Sequence, residues 1–388
     1  MADLSYTASY DLILLGGGHS HVAVLADWIR HGLPAERIAL ITPSSHLRYS
    51  GMVPGWIAGQ FEGDEGRVDV KALAKKAGVT FVEDRCVSMD PNMNSVLTGA
   101  NGVLNFRFCS IDTGGVGRAA KILGDDDRLV DVRPIDAFAG AIEGAGGAEP
   151  IAVIGGGAGG VELAFALRNR GRFVDGEPQD DDAFKGAEVS LITGAAGLLP
   201  DFARGPRQMV RGELEAQGIR ILECDVERAK GGLRTQNLPE TAHEDPVKTA
   251  KTIVAALGSG APDWPSQSGL DVDEDGFVAV DQFQRCTSHS HIFASGDVAA
   301  RQDRIVPHSG VHAVHTGPIL AKNLRKILAG EEPQGSYGPR RASLYILSTA
   351  NGEAIAVYGP VATKAEWASG LKAWIDKRWL RYYAKLLK

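Results

Sequence analysis

Short apolar runs that end in glycine set the rhythm of this chain. Leu12-Ile13-Leu14-Leu15 leads into Gly16-Gly17-Gly18, and an apolar segment of helix formers follows at 22–28. Ile151-Ala152-Val153-Ile154 leads into Gly155-Gly156-Gly157 in the same way, with a helical segment at 160–168. Unbroken apolar runs of this length read as strands buried on both faces, the mark of a parallel sheet. Strand, glycine turn and helix in that order make a phosphate cradle. The backbone approaches a pyrophosphate where side chains are absent, and the first helical turn offers unpaired N–H groups and a positive dipole end. Further strands are predicted at 37–42, 80–82, 106–112, 188–193, 219–222 and 252–258, with a helix at 207–217. The stretch from Tyr49 to Gly59 fits neither period and is expected to be an irregular loop near a ligand. Residues 116–148 read as a connection with some helical pattern, ending in Gly-Ala-rich sequence that marks a domain boundary. The acidic stretch 175–182 reads as a solvated insertion.

Length and composition narrow the class. A chain of 388 residues is long for one domain, and 44% apolar, 23% charged and 48 glycines describe an α/β protein rich in tight turns. A net charge of −7 argues against a general nucleic-acid binder. Neither a secretory leader nor a run of roughly 20 apolar residues is visible, so a cytoplasmic location is expected. Cys86, Cys109, Cys224 and Cys286 stand apart with no C-x-x-C or C-x4-C pair, and are expected to be reduced, mostly buried thiols.

Where an acid is expected to meet the ribose, at the end of the strand after each glycine turn, Thr42 stands in the first unit and Thr193 in the second. Preference between NADH and NADPH is therefore not legible. Thr113-Gly114 and Leu257-Gly258 end strands on turns that let backbone cross a nucleotide. Asp297, placed by Gly296 at a strand end, suits a bond to a sugar or ribityl hydroxyl. Ser309-Gly310 starts a helix running to about 329, whose N-terminus suits negative charge. His308, His312 and His315 share one face there, open to metal, proton relay or plain packing; no metal site is assigned.

Together the paired glycine turns, the Thr113-Gly114 and Leu257-Gly258 turns and Ala294-Ser295-Gly296-Asp297 resemble the FAD- and NAD(P)-dependent pyridine nucleotide-disulfide oxidoreductases. Within that superfamily the chain looks similar to type II NADH dehydrogenases and sulfide:quinone reductases. The spellings Gly16-Gly17-Gly18-His19-Ser20-His21, Tyr49 to Gly55 and Gly310-Val311-His312-Ala313-Val314 look closest to the flavoprotein domain fused to selenide, water dikinase. The resemblance implies an α/β fold of two Rossmann-like domains. An FAD domain at 1–115 and 265–335 would be split by an NAD(P)H domain at 116–264, with linker 116–148, and 336–388 would form a C-terminal region. It implies FAD on Gly16, Gly18, His19, Ser20, Thr42, Thr113, Gly114, Gly296, Asp297, Ser309 and Gly310, and NAD(P)H on Gly155, Gly157, Gly160 and Gly258. Glu162 and His315 are the catalytic candidates. The implied activity passes hydride from NAD(P)H to FAD and electrons to a small acceptor, with quinone preferred; sulfur or selenium chemistry and a flavin redox sensor are the alternatives. The quinone motif of type II NADH dehydrogenases is replaced by Val311 and His315, and the catalytic cysteines of sulfide:quinone reductases have no equivalents.

The tail at 367–388 alternates Trp367, Trp374, Trp379, Tyr382 and Tyr383 with six Lys and Arg against Asp376. It reads as a basic amphipathic helix suited to the inner face of a membrane. A homodimer contact, or packing on the chain's own flavin domain, remains an alternative for it.

Overall fold

The structure, a computed structural model, describes residues 9–62, 64–144, 149–174, 177–179, 184, 186–238, 244–339 and 343–388. Of the acidic stretch 175–182, only 177–179 fall among them.

Strand β1 (Ser9–Leu15) runs into the first glycine turn, and helix α1 (His19–His31) leaves it, exceeding the predicted segment by about one turn at each end. Strand β2 (Ile38–Thr42) lies parallel to β1. The Tyr49–Gly59 stretch is helical rather than irregular: Ser50–Met52 forms a 3-10 turn and Val53–Ala58 forms helix α2. Pro54 in the first turn starts that helix, and Gly59, at φ 86°, ends it in the left-handed conformation that glycine adopts without strain. Strand β3 (Thr80–Glu83) extends the sheet beside β2, while β4 (Cys86–Asp90) and β5 (Ser95–Thr98) form an antiparallel ribbon on its other side. Strand β6 (Gly102–Ile111) joins β1 to that ribbon, giving the order β3-β2-β1-β6-β5-β4.

A second, wholly parallel sheet follows. It contains β7 (Leu129–Asp131), β8 (Ile151–Ile154), β9 (Val189–Ile192), β10 (Arg220–Leu222) and β11 (Thr252–Ala255) in the order β10-β9-β8-β11-β7. Helices α3 (Ile135–Gly144), α4 (Ala158–Arg168) and α5 (Arg204–Ala216) connect these strands. The connection at 116–148 thus contributes strand β7, three half-buried residues too short to show a period. Strand β12 (Ile292–Ala294) then returns to the first sheet beside β6. The second sheet is therefore inserted in the chain between parts of the first. This is the doubly wound α/β arrangement, used twice.

Helix α6 (Gly310–Leu328) crosses α1 closely: a Cβ on Gly317 would stand 2.6 Å from that of Ala23. Strands β13 (Leu344–Ser348), β14 (Ala354–Tyr358) and β15 (Val361–Ala365) form an antiparallel sheet before the final helix α7 (Glu366–Leu386). That helix does not stand free. Trp379, Leu380, Tyr382, Tyr383 and Leu386 pack on the core of the first sheet, against the cluster holding Leu12, Trp28, Leu73 and Leu324. Trp367, Trp374 and Ile375 stay exposed. No helix among the described residues is long and apolar enough to cross a membrane.

Candidate functional site

At the first turn, Gly16 has φ 91°, and a Cβ there would lie 2.3 Å from the Asp112 carbonyl oxygen. Only glycine fits. The Asp112 side chain, 3% exposed, lies against Gly18 and accepts the His21 N–H at 2.9 Å, so it caps α1 from the end of β6. Burial pushes its pKa up to about 7 against the backbone bonds from His21 and Ser20, and Asp297 adds to the rise.

The missing third glycine of this turn has a physical substitute. In the second unit a Cβ on Gly160 would stand 2.0 Å from the Gly155 carbonyl oxygen, so helix and turn touch directly. In the first unit His21 reaches the equivalent carbonyl with its ring: Nδ1 lies 2.6 Å from the Gly16 oxygen and Nε2 lies 2.9 Å from the Ser110 hydroxyl. Burial lowers its pKa to about 4, so the ring is neutral and holds the turn by hydrogen bonds rather than charge.

A cavity of about 470 Å³ opens over this turn. Gly16, Gly18, His19, Thr42, Thr113, Gly114, Asp297 and Gly310 all line it, so eight of the predicted site residues meet there. The Thr42 hydroxyl would lie 3.3 Å from a Cβ on Gly17. His19 has its Nε2 enclosed without a partner, and its ring lies against Tyr49 and Trp379. Burial first, then Arg133, brings its pKa down to about 4. Arg133 is a residue that sequence reading missed. It comes from the connection after β7, lines the cavity and binds the Asp297 carboxylate at 2.6 Å. These residues lie 164 positions apart, and no local pattern announces the pair.

Other candidates fall elsewhere. Ser20 does not face the cavity; its hydroxyl lies 2.9 Å from that of Ser295 and donates to the Ala313 carbonyl at 3.1 Å. Gly296 and Ser309 line a separate void of about 30 Å³, with His308 and His312, large enough for a single water. His315 is exposed and stacks on the Tyr337 ring, lining neither space. The shared face of the three histidines also dissolves, because His308 precedes α6 and stacks on Phe277. Among the described residues no three His, Cys, Asp or Glu are grouped to hold a metal.

At the second turn Gly155 has φ 133° and Gly157 faces open space. Gly258, past β11, has φ 81°. Glu162 on α4 accepts the Ser348 N–H at 2.9 Å. Burial raises its pKa, while Lys372 and the Ser348 bond oppose the rise. Lys372, from α7, donates to the Gly51 carbonyl at 2.8 Å and lies 3.4 Å from Asp376. Burial works against that ammonium, but Glu162 and Asp376 outweigh it and its pKa rises. Burial first, then Asp376, raises the Tyr49 phenol. One buried cluster of charge thus ties together α4, α7 and the loop before α2.

Residues 10–317 match the family described as pyridine nucleotide-disulphide oxidoreductase. The chain belongs to this family. It is 28% identical over 244 residues to a dihydrolipoyl dehydrogenase of Haloferax volcanii, a match covering 59% of this chain and 46% of that one. The chain thus spans less than half of that relative's length. It is 20% identical over 357 residues to ferroptosis suppressor protein 1 of Xenopus tropicalis, covering 88% and 87%. Among solved structures, the sulfide:quinone oxidoreductase of Aquifex aeolicus superposes with a TM-score of 0.74 at 16% identity, over 98% of this chain and 92% of that one. A water-forming NADPH oxidase does so at 0.70 and 20%, over 89% and 74%. These structural likenesses show the fold. FAD is the family's cofactor and NAD(P)H its co-substrate. The first cavity suits a dinucleotide: its volume, its side-chain-free floor at Gly16 to Gly18 and the unpartnered Nε2 of His19 leave both room and a polar contact.

Proposed function

We propose that this chain is an NAD(P)H dehydrogenase that passes electrons through FAD to a small acceptor, with a quinone as the preferred acceptor. The observation that carries the reading is the meeting of Gly16, Gly18, Asp297 and Gly310 in one cavity, with a second glycine turn on a separate parallel sheet. FAD, when bound, supplies two-electron redox chemistry. Gly16, Gly18 and the start of α1 would hold its pyrophosphate, and Asp297 with Arg133 would hold its sugar-like chain. The N-terminus of α6 at Ser309–Gly310 directs its positive end toward the cavity and favours negative charge there. Gly155, Gly157 and Gly160 would seat the nicotinamide nucleotide. In this reading 1–115 with 265–335 form the FAD domain and 116–264 the NAD(P)H domain. Glu162 would act as a positioning residue at the helix that enters the site.

Quinone draws support from the likeness to a sulfide:quinone oxidoreductase, and from the half-buried Tyr49–Trp379 stack at 4.5 Å beside His19, whose ring edges the first cavity. The exposed Trp367 and Trp374 would bring the chain to a membrane, in a type II NADH dehydrogenase-like manner. Thiol chemistry is the weaker reading, though it accords with the spellings that resemble the domain fused to selenide, water dikinase. All four cysteines are free, and burial raises every one, Cys86 to about 12. None is an activated thiolate. Anaerobic mixing with NADH and with NADPH tests the hydride step: bleaching of the flavin's visible absorbance by at least one is expected. Bleaching by neither overturns it.

A further inference from the structure

Both units lack an acid at the end of the strand after the glycine turn, yet in both an acid stands just past the neighbouring parallel strand. These are Asp84 after β3 and Asp225 after β10. The two are not alike. Asp84 spends its carboxylate on the N–H groups of Gly99, Ala100 and Asn101, which closes the β4–β5 region. Asp225 instead turns back toward β9. Its Oδ1 accepts the Ala195 N–H at 3.0 Å and lies 3.1 Å from where a Cβ on Gly194 would stand. The carboxylate therefore sits over the carboxyl end of β9, is exposed, and lies against Gly194, which carries no side chain to cover it.

We propose that Asp225 supplies the acidic contact at the adenosine ribose and makes this chain select NADH over NADPH. The inference rests on the second turn's binding a nicotinamide nucleotide, as proposed above. In a doubly wound sheet the adenosine ribose lies beyond the carboxyl end of the second strand, here β9. A carboxylate there accepts hydrogen bonds from the two ribose hydroxyls of NADH. The 2′-phosphate of NADPH brings about −1.5 to −2 charges and only acceptor oxygens, so it meets repulsion instead. A phosphate site wants a guanidinium. Arg211 on α5 is held by Glu223, a second carboxylate two residues before Asp225.

Calorimetric titration of the FAD-loaded protein with ADP-ribose and with 2′-phospho-ADP-ribose tests this without turnover. The unphosphorylated fragment is expected to bind about tenfold more tightly or better. Asp225→Asn keeps the acceptor for the Ala195 N–H but loses the charge, and should narrow the ratio to less than about threefold. Asp225→Glu should retain the preference. Equal affinity in the wild type, tighter binding of the phosphorylated fragment, or an unchanged ratio in Asp225→Asn overturns the proposal. Flavin bleaching separates the levels: bleaching by NADH and NADPH at equal rates overturns the proposal alone. No bleaching by either, with neither fragment bound, overturns the reading beneath it as well.

Discussion

His21 shows how one residue can replace an absence. Where Gly160 lets helix and turn touch, His21 spans the same junction with two ring hydrogen bonds, fully buried. His21→Ala would strand the Gly16 carbonyl and the Ser110 hydroxyl, and is expected to cost about 2–4 kcal/mol in urea unfolding. Titration sharpens the point. His19 and His21 are lowered to about 4 by burial, so the folded state keeps them neutral while the unfolded chain takes up protons near 6.5. Their contribution is present above about 6.5 and lost as pH falls toward 4. Asp112 runs the other way. Raised to about 7, it stabilises the fold fully below its ordinary value of 3.8, and that contribution is lost as pH rises to 7. Asp112→Asn removes this loss. Its stability relative to wild type should therefore improve with rising pH between 4 and 7, by at most about 1.4 kcal/mol per unit, in unfolding curves taken across that range. No such trend would mean that Asp112 is ionised throughout.

Among elements, the glycine-turn helices carry the most consequence per residue. Gly160→Ala pushes a methyl into the Gly155 backbone, which cannot yield as a flexible side chain would, so α4 must draw back from the turn. The expected result is flavin bleaching by NADH slowed about tenfold or more, with FAD content unchanged, because the first cavity lies on the other sheet. Equal loss of FAD would show that the two sheets are not independent. The same elements were the legible ones. Leu12–Leu15 of β1 and the whole of β8 are uninterrupted apolar runs closed by glycine, buried on both faces, and that leaves no other reading of them. Strand β7 escaped because three half-buried residues have no period, and α2 because its start depends on Pro54 and its stop on Gly59 rather than on an apolar stripe. Asp112 was in plain view, yet its partners are backbone N–H groups 91 residues away. Arg133 and Lys372 were hidden for the same reason, since their partners Asp297 and Gly51 lie 164 and 321 positions off.

At the scale of the whole molecule, α7 has two faces with different work. Its inner face carries Lys372 into contact with Gly51, Asp376 and the neighbourhood of Glu162, so α7 ties α4 to the 3-10 turn before α2. Lys372→Met would leave two buried carboxylates without their cation and is expected to cost about 3–5 kcal/mol, with partial recovery in the double variant Lys372→Met, Glu162→Gln. Thermal unfolding of the pair decides this; no recovery would mean that the lysine acts through packing alone. The outer face answers to a different test. Trp367, Trp374, Arg378, Arg381, Lys385 and Lys388 lie on one exposed stripe, basic on a chain whose net charge is −7, with Arg378 over the Trp374 ring at 5.1 Å. Because the inner aromatics are already consumed in packing, membrane contact would depend on this stripe and not on the whole amphipathic helix. Trp367→Ser with Trp374→Ser should therefore abolish flotation with anionic vesicles while leaving the melting temperature unchanged. Flotation of the wild type should weaken as salt rises, since basic residues near an anionic surface are screened. Unaltered flotation of the double variant would place any lipid contact away from α7.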